Sequence, residues 1–149
     1  MTKEGLNKYF EEIDLKVMNL YYKRDAEGNV VYDENGHPIN EYFPATAGML
    51  EISSGWYQLI HDLIAELIET DWDRDIHQVK EKFGGLEFYV GSASTEVHEI
   101  IRKYGKLSYE TCEVCGEVGE LRKDCGWGGG TWYKAMCDKH YNELKEKRK

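Results

Sequence analysis

The sequence predicts an α+β fold, in which a small body of helices and a β-hairpin carries a C-terminal zinc-ribbon module. Apolar residues recur at steps of three and four between residues 56 and 68, which is typical of a core helix. A Gly-Gly pair divides two alternating runs between residues 76 and 90, which predicts a hairpin. Cys-Glu-Val-Cys-Gly at 112–116 is followed by Cys-Asp-Lys-His at 137–140, which predicts a metal site.

Charge is divided unevenly along the chain. Residues 1–100 carry 20 acidic and 8 basic side chains, a net charge of −12, whereas residues 101–149 carry 8 acidic and 11 basic ones, a net charge of +3. We therefore predict an acidic α+β body at residues 1–108, whose first 50 residues form an N-terminal helix and hairpin extension. A zinc ribbon with a C-terminal helix follows at residues 109–149. The acidic majority would repel a phosphate backbone, and the basic end alone is too weak to establish nucleic-acid binding.

Composition restricts the class of protein and the cellular compartment in which it is expected. A chain of 149 residues with 13% aromatic residues is long enough to bury a core. No apolar run approaches the roughly 18 residues that a membrane helix needs, and the N-terminus lacks the features of a secretory signal. We expect a cytoplasmic protein that does not insert into membranes. Its four cysteines would then stay reduced, which favours metal ligation over disulfides.

The N-terminal segment has the spacing of an amphipathic helix. The residues on its predicted apolar face are Leu6, Tyr9, Phe10, Ile13, Val17, Leu20 and Tyr21. Ile13, Leu15 and Val17 also alternate as in a strand, so that reading stays open. Turn dipeptides between residues 25 and 40 predict an exposed hairpin or ordered loop, and we interpret its acidic residues as turn formers and not as a calcium loop.

The helix at residues 56–68 is expected to start from a Ser53 or Ser54 cap and to form the core. Its His61 is expected in solvent, as are the three acidic residues that follow. Those residues are Asp71, Asp73 and Asp75. Ser94 is expected to cap a further helix, with Val97, Ile100, Ile101, Tyr104 and Leu107 on its inner face.

The hairpin is expected to turn at Gly84-Gly85 and to pair Phe83 with Leu86. This register puts the apolar side chains on one face, namely Val79, Phe83, Leu86, Phe88 and Val90. Glu81 is the one acidic residue on that face, and we expect it to have a structural partner such as a cation or an amide. Catalysis by Glu81 with His77 or His98 is a weaker hypothesis, because spacing brings neither histidine to it.

The predicted metal ligands are Cys112, Cys115, Cys137 and His140. The first pair has the spacing of a zinc knuckle, and the second pair lies at the start of the last helix, so all four side chains can reach one zinc ion. Four protein ligands leave no open position, so the zinc is predicted to be structural. Cys125 remains an alternative to His140, although it has no paired neighbour and is interpreted as a free thiol.

Three segments together resemble a group of small uncharacterised bacteriophage and prophage proteins. They are Gly55-Trp56-Tyr57-Gln58-Leu59-Ile60, the Lys-Phe-Gly-Gly-Leu segment at 82–86, and the paired Cys112/Cys115 and Cys137/His140 motifs. The resemblance covers about residues 50–142 and implies a phage setting and a zinc ribbon, but no catalytic activity.

The resemblance, the acidic body and the closed metal site favour a non-enzymatic protein that binds and modulates a host protein. The interaction surface is predicted on the ribbon, at Arg122, Lys123, Trp127, Trp132 and Lys134. The alternative is a nucleic-acid-binding module. In that case the ribbon and the last helix would contact phosphates through basic side chains while aromatic rings stack on bases. The basic residues are Arg122, Lys123, Lys134, Lys139, Lys145, Lys147, Arg148 and Lys149, and the aromatic ones are Trp127, Trp132 and Tyr133.

Overall fold

The computed structural model describes residues 1–149, except the side chain of Leu20. The fold is α+β, with four α-helices and three small sheets. The helices are α1 (Lys3–Glu12), α2 (Tyr57–Leu67), α3 (Thr95–Ser108) and α4 (Asp138–Lys147). The strands are β1 (Lys16–Tyr22), β2 (Asn40–Pro44), β3 (Asp75–Ile76), β4 (Gln78–Lys82), β5 (Gly85–Tyr89), β6 (Glu120–Arg122) and β7 (Lys134–Met136). One-turn 3₁₀ helices lie at Ala47–Met49, Ser54–Trp56 and Trp127–Gly129.

The first helix is shorter than its predicted apolar face. Asp14 adopts a left-handed φ of 52°, and the amide of Leu15 donates to the Phe10 carbonyl at 3.0 Å. This is a Schellman-type ending, and the side chains of Phe10 and Leu15 are both buried in the same apolar cluster. The chain then enters β1, so the helical prediction is wrong from Val17 to Tyr21. The strand alternative, made for Ile13, Leu15 and Val17, is correct at Val17 alone. The predicted position of the Leu20 side chain lies outside the described residues.

Strand β1 is the centre of a three-stranded sheet, antiparallel to β2 and parallel to β3. The connection between β1 and β2 contains two turns of the same design. Asp25 Oδ1 accepts the amides of Glu27 and Asn29, and Asp33 Oδ1 accepts those of Asn35 and His37. The prediction of turn chemistry is confirmed, because these carboxylates bind their own backbone.

Helices α2 and α3 and the β4–β5 hairpin enclose most of the core. The apolar face of α2 is buried, as predicted, at Leu59, Ile60, Leu63, Ile64 and Leu67. The predicted serine cap is wrong, because a 3₁₀ turn at Ser54–Trp56 separates both serines from the helix, and neither caps α2 with its side chain. Ser94 does cap α3, by accepting the amide of Val97, whereas Leu107 at its far end is 41% exposed.

The hairpin turns one residue earlier than predicted. Lys82 pairs with Gly85, and the turn residues Phe83 and Gly84 have φ values of 52° and 84°. Positive φ at both positions is the pattern of a type I′ turn. The predicted pairing of Phe83 with Leu86 is therefore wrong, and Phe83 is 69% exposed instead of buried.

The rest of the predicted hairpin face is confirmed. Val79, Leu86, Phe88 and Val90 are all at least 90% buried. Glu81 has the amide partner that we expected, since its Oε1 accepts the Gly84 amide at 2.7 Å and closes the turn. None of the helices described here is long and apolar enough to cross a bilayer.

Candidate metal centre

Four side chains converge where the segment after α3 meets the start of α4. Cys112 and Cys115 lie on a tight turn that is closed by the Gly116 amide, which donates to the Cys112 carbonyl at 2.9 Å. Gly116 has a φ of 80°, a conformation that favours glycine. Cys137 precedes α4 as its cap residue, and its Sγ accepts the amide of His140 at 3.5 Å. Each pair is thus held by local backbone geometry, and the β6–β7 ribbon connects the two pairs.

The four ligand atoms are close enough to one another to surround a single metal ion. All lie within 4.8 Å of one another. Cys115 Sγ is 3.8 Å from Cys137 Sγ, and His140 Nδ1 is 3.7 Å from Cys112 Sγ and 3.2 Å from Cys137 Sγ. Ligands at tetrahedral metal–sulfur and metal–nitrogen distances lie about 3.5–3.8 Å apart. The sulfurs are too far apart for a disulfide, and this group could bind one metal ion.

The thiols of the site differ in their readiness to ionise. Burial of Cys112 opposes the thiolate, but backbone amides of Cys137, Cys115 and Val114 donate to its sulfur, and its pKa is lowered to about 7. The amide of Glu117 also favours the Cys115 thiolate, yet burial and the neighbouring sulfurs raise its pKa overall. Because a metal binds thiolates, binding must release protons.

We predict from these shifts that metal affinity falls as the pH is lowered. Above pH 7 the Cys112 thiol is already largely ionised, so metal binding releases few protons from it. Below pH 7 the thiol is mostly protonated, so the metal must displace one more proton. The logarithm of the association constant should therefore change more steeply with pH below 7 than above it. A competition titration with a chromophoric chelator between pH 6 and 8 measures this slope, and an affinity independent of pH over that range would contradict the prediction.

Cys125 lies outside the four-residue group. It is fully buried in a small apolar cluster with Cys112 and Met136, and burial raises the pKa of its thiol. Its amide bonds to the Trp132 carbonyl, and its own carbonyl accepts the guanidinium of Arg148 at 2.7 Å. Cys125 therefore contributes to the packing of the ribbon against α4.

The candidate metal-binding turn, which carries Cys112 and Cys115, is anchored directly to the body. The Gly55 amide donates to the Glu113 carbonyl at 2.8 Å, and the indole Nε1 of the buried Trp56 donates to the Thr111 carbonyl at 2.9 Å. A Cβ on Gly55 would lie 2.3 Å from the Glu113 carbonyl carbon and 2.4 Å from the Cys112 oxygen. Glycine is needed here because two backbone segments touch.

The hairpin glycines make a second contact with the module. A Cβ on Gly84 would lie 2.4 Å from Leu121 Cδ1 and 3.3 Å from the Lys134 amide nitrogen, so the turn rests on the β6–β7 ribbon. A Cβ on Gly85 would lie 2.5 Å from the ring of Tyr109. The second glycine is thus required by packing and not by the turn. Spacing alone could not separate these two roles.

The residues of the predicted interaction surface differ in availability. Arg122 is held between Glu120 and Asp138 and lies over the Tyr141 ring, with its side chain 15% exposed. Lys134 bonds the buried Glu113 at 2.7 Å. These two cations are structural. The other three residues, Lys123, Trp127 and Trp132, are exposed.

The other acidic side chains that could act as ligands or catalysts form hydrogen bonds with nearby groups. Asp71 accepts the hydroxyl of Ser94, and Asp73 accepts the amide of Asp75. Glu81 closes its own turn, as described above. His77 packs against Gly91 and His98 is exposed on α3. Among the described side chains, the Cys/His group is the one cluster with metal-ligand spacing.

Comparisons of the chain with protein-family models, curated proteins and solved structures found no match. The resemblance to phage and prophage proteins therefore stays a prediction that rests on the quoted segments. The packing does relate those segments to one another, because Gly55-Trp56 and Gly84-Gly85 both touch the module that contains the Cys and His pairs.

Proposed function

We propose that this protein is a zinc-stabilised, non-enzymatic binding protein that acts through contact with another protein. In the phage setting that the resemblance implies, the partner is a host protein, which the chain inhibits or modulates. Cytoplasmic location belongs to the same proposal, since thiolate ligands persist in a reducing compartment.

The observation that carries the proposal is the convergence of three Sγ atoms and one Nδ1 atom within 4.8 Å. Three sulfur ligands and one imidazole ligand favour zinc over the harder Mg²⁺ and Ca²⁺ ions. A zinc ion with four protein ligands has no position left for water or substrate, so its role is to hold the module together. Function then belongs to the surface that the ion supports.

That surface carries exposed aromatic side chains in an otherwise acidic protein. Phe83, Trp127 and Trp132 are 69%, 73% and 56% exposed. Large aromatic residues are enriched at protein–protein interfaces because they bury much area at a small cost in side-chain entropy. Their presence beside a structural zinc supports a binding role.

A second candidate, a nucleic-acid-binding module, is supported by Trp127, whose exposed ring lies 5.5 Å from the Arg148 guanidinium carbon. Such a pair resembles the stacking and phosphate contacts of single-strand binders. It ranks second because Arg122, Lys134 and Lys145 already pair with acidic side chains, and the chain has a net charge of −9.

Affinity capture with the zinc-loaded protein from a bacterial lysate tests the first candidate. We expect a protein partner in stoichiometric amount that is retained after nuclease treatment and binds again as a purified component. Recovery of nucleic acid alone would contradict the proposal.

A gel-shift titration tests the second candidate. We expect no retardation of a single-stranded oligonucleotide even at low salt, where phosphate contacts are strongest, because the chain has a net charge of −9 and four of the eight basic side chains of the ribbon and last helix, Arg122, Lys134, Lys145 and Lys149, pair with acidic ones. A shift that disappears at high salt and depends on Trp127 would favour the nucleic-acid function.

A further inference from the structure

An open groove lies where the tip of the β4–β5 hairpin meets the strand before β7. It is lined by Glu81, Lys82, Phe83, Thr131, Trp132 and Tyr133 and has a volume of about 450 Å³. The Phe83 and Tyr133 rings meet edge to face with centroids 6.3 Å apart. A groove of this size accommodates one or two large side chains and falls in the range of ordinary ligand sites.

The residue at the tip of the hairpin is one that does not favour the conformation of the turn. Phe83 has a left-handed φ of 52° and is 69% exposed. Asn, Asp or Gly is preferred at this position of a type I′ turn, and a bulky residue there is strained. Neither strain nor exposure of an aromatic ring stabilises the folded protein, so a role in recognition accounts for the residue better than a role in folding.

Two unpaired lysines lie in or beside the lining of the groove, and the one acidic residue of the lining, Glu81, already accepts the Gly84 amide. Among the described side chains, neither Lys82 nor Lys123 has an ion-pair partner, and both are exposed. Lys82 Nζ lies 5.8 Å from the centre of the Phe83 ring, and the carbonyl of Lys123 accepts the Trp132 amide. The groove is therefore lined mainly by aromatic rings, with Lys82 as the one unpaired charge among its described side chains and with Lys123 bonded through its backbone to Trp132.

We infer that this groove binds an acidic peptide segment of the partner, with one aromatic or large aliphatic side chain placed between Phe83 and Trp132. This inference rests on the proposed protein-binding function and locates it. Acidic residues of the segment would face Lys82 and Lys123, while the acidic body would repel segments that approach in other positions.

A peptide fits these charges better than a nucleic acid does. Two free lysines can neutralise two carboxylates, but a single strand needs basic contacts along several phosphates. Lys134, the next cation along the ribbon, is already bound to Glu113 at 2.7 Å. The occupant therefore needs little charge and a strong apolar anchor.

Selection from a displayed library of random peptides against the zinc-loaded protein tests this inference. We expect enriched sequences to combine acidic residues with one large apolar residue. A labelled peptide from the selection should bind Phe83→Asn and Trp132→Thr about tenfold or more weakly than the wild type, as expected for hot-spot aromatics. Tyr32→Ser is the matched control, because this exposed tyrosine of the β1–β2 connection does not line the groove, and it should bind as the wild type does.

Two further measurements separate binding from folding. Phe83→Asn should keep its metal and unfold at a temperature no lower than the wild type, because asparagine tolerates the left-handed φ. Lys82→Glu should weaken binding of the acidic peptide and strengthen binding of a version in which lysines replace its acidic residues. Lys139→Glu makes the same change of charge on α4 and should change the affinity for neither peptide.

The possible results are distinguishable. Peptides without acidic residues, or peptides whose binding ignores Phe83 and Trp132, would overturn the groove assignment while leaving protein binding elsewhere intact. Competition by single-stranded oligothymidylate that requires the same two side chains would instead overturn both the peptide inference and the proposed function.

Discussion

Removal of the metal will unfold the Cys/His module and lower the thermal stability of the whole chain. The cluster at the module's centre is small, consisting of Cys112, Cys125 and Met136 with three partly buried neighbours, so we expect a bound ion to supply much of the module's stability. We expect a loss of at least about 3 kcal/mol in the free energy of unfolding, since structural zinc contributes far more than this in isolated fingers.

The effect should spread to the body, because the metal-binding turn and the body share backbone contacts. Gly55 and Trp56 both bond the segment that carries Cys112. Without the ion these bonds are lost together, and the wall of the groove at Trp132 loosens with them.

Thermal unfolding followed by circular dichroism, with and without a chelator, measures this loss, and elemental analysis gives the zinc stoichiometry. Cys115→Ser should lose bound metal and thermal stability, as the chelator-treated protein does. Cys125→Ala is the matched control: it also removes a sulfur of the module but lies outside the four ligands, so it should still hold one zinc ion per chain. Full stability of the metal-free protein, or loss of metal in the Cys125 variant alone, would contradict the assignment.

The Cys/His cluster could be predicted from the sequence because its geometry is local. Two residues between Cys112 and Cys115, and two between Cys137 and His140, restrict each pair to a turn or a helix start, and both conformations direct the side chains to one point. The β6–β7 ribbon between the two pairs only has to bring them together. The buried faces of α2 and of the hairpin were predictable for a similar reason, since periodicity depends on neighbours in the sequence.

Features that depend on distant contacts could not be predicted in this way. Glycine at position 85 is required by the ring of Tyr109, which is distant in the sequence and leaves no room for a side chain there, so a Gly-Gly pair did not mark the two turn residues. The end of α1 at Glu12 depends on a left-handed Asp14, a conformation that the sequence does not announce for a non-glycine residue. The ion pairs of Arg122 with Asp138 and of Lys134 with Glu113 join residues that are distant in the sequence, so the prediction of both cations as part of an interaction surface could not take them into account.

Substitution of Gly55 by alanine is expected to be the most damaging single change outside the metal ligands. The added Cβ would lie 2.3 Å from the Glu113 carbonyl carbon, and backbone atoms cannot move aside as a flexible side chain can. Relief of this clash requires the metal-binding turn to separate from the body, with loss of the Gly55–Glu113 hydrogen bond. We expect a destabilisation of about 3 kcal/mol or more, at the upper end of what overpacking causes.

Gly105→Ala is the matched control for this change. Gly105 lies within α3, and the nearest atom to its added Cβ would be the Leu86 oxygen at 3.6 Å, an ordinary contact. Alanine is the better helix former, so this variant should be more stable than the wild type by about 0.5–1 kcal/mol. Chemical denaturation of both variants with zinc bound compares them directly. If Gly55→Ala unfolds at the wild-type denaturant concentration, the module is not fixed to the body by this contact, and the effect of metal removal should then be confined to residues 111–149.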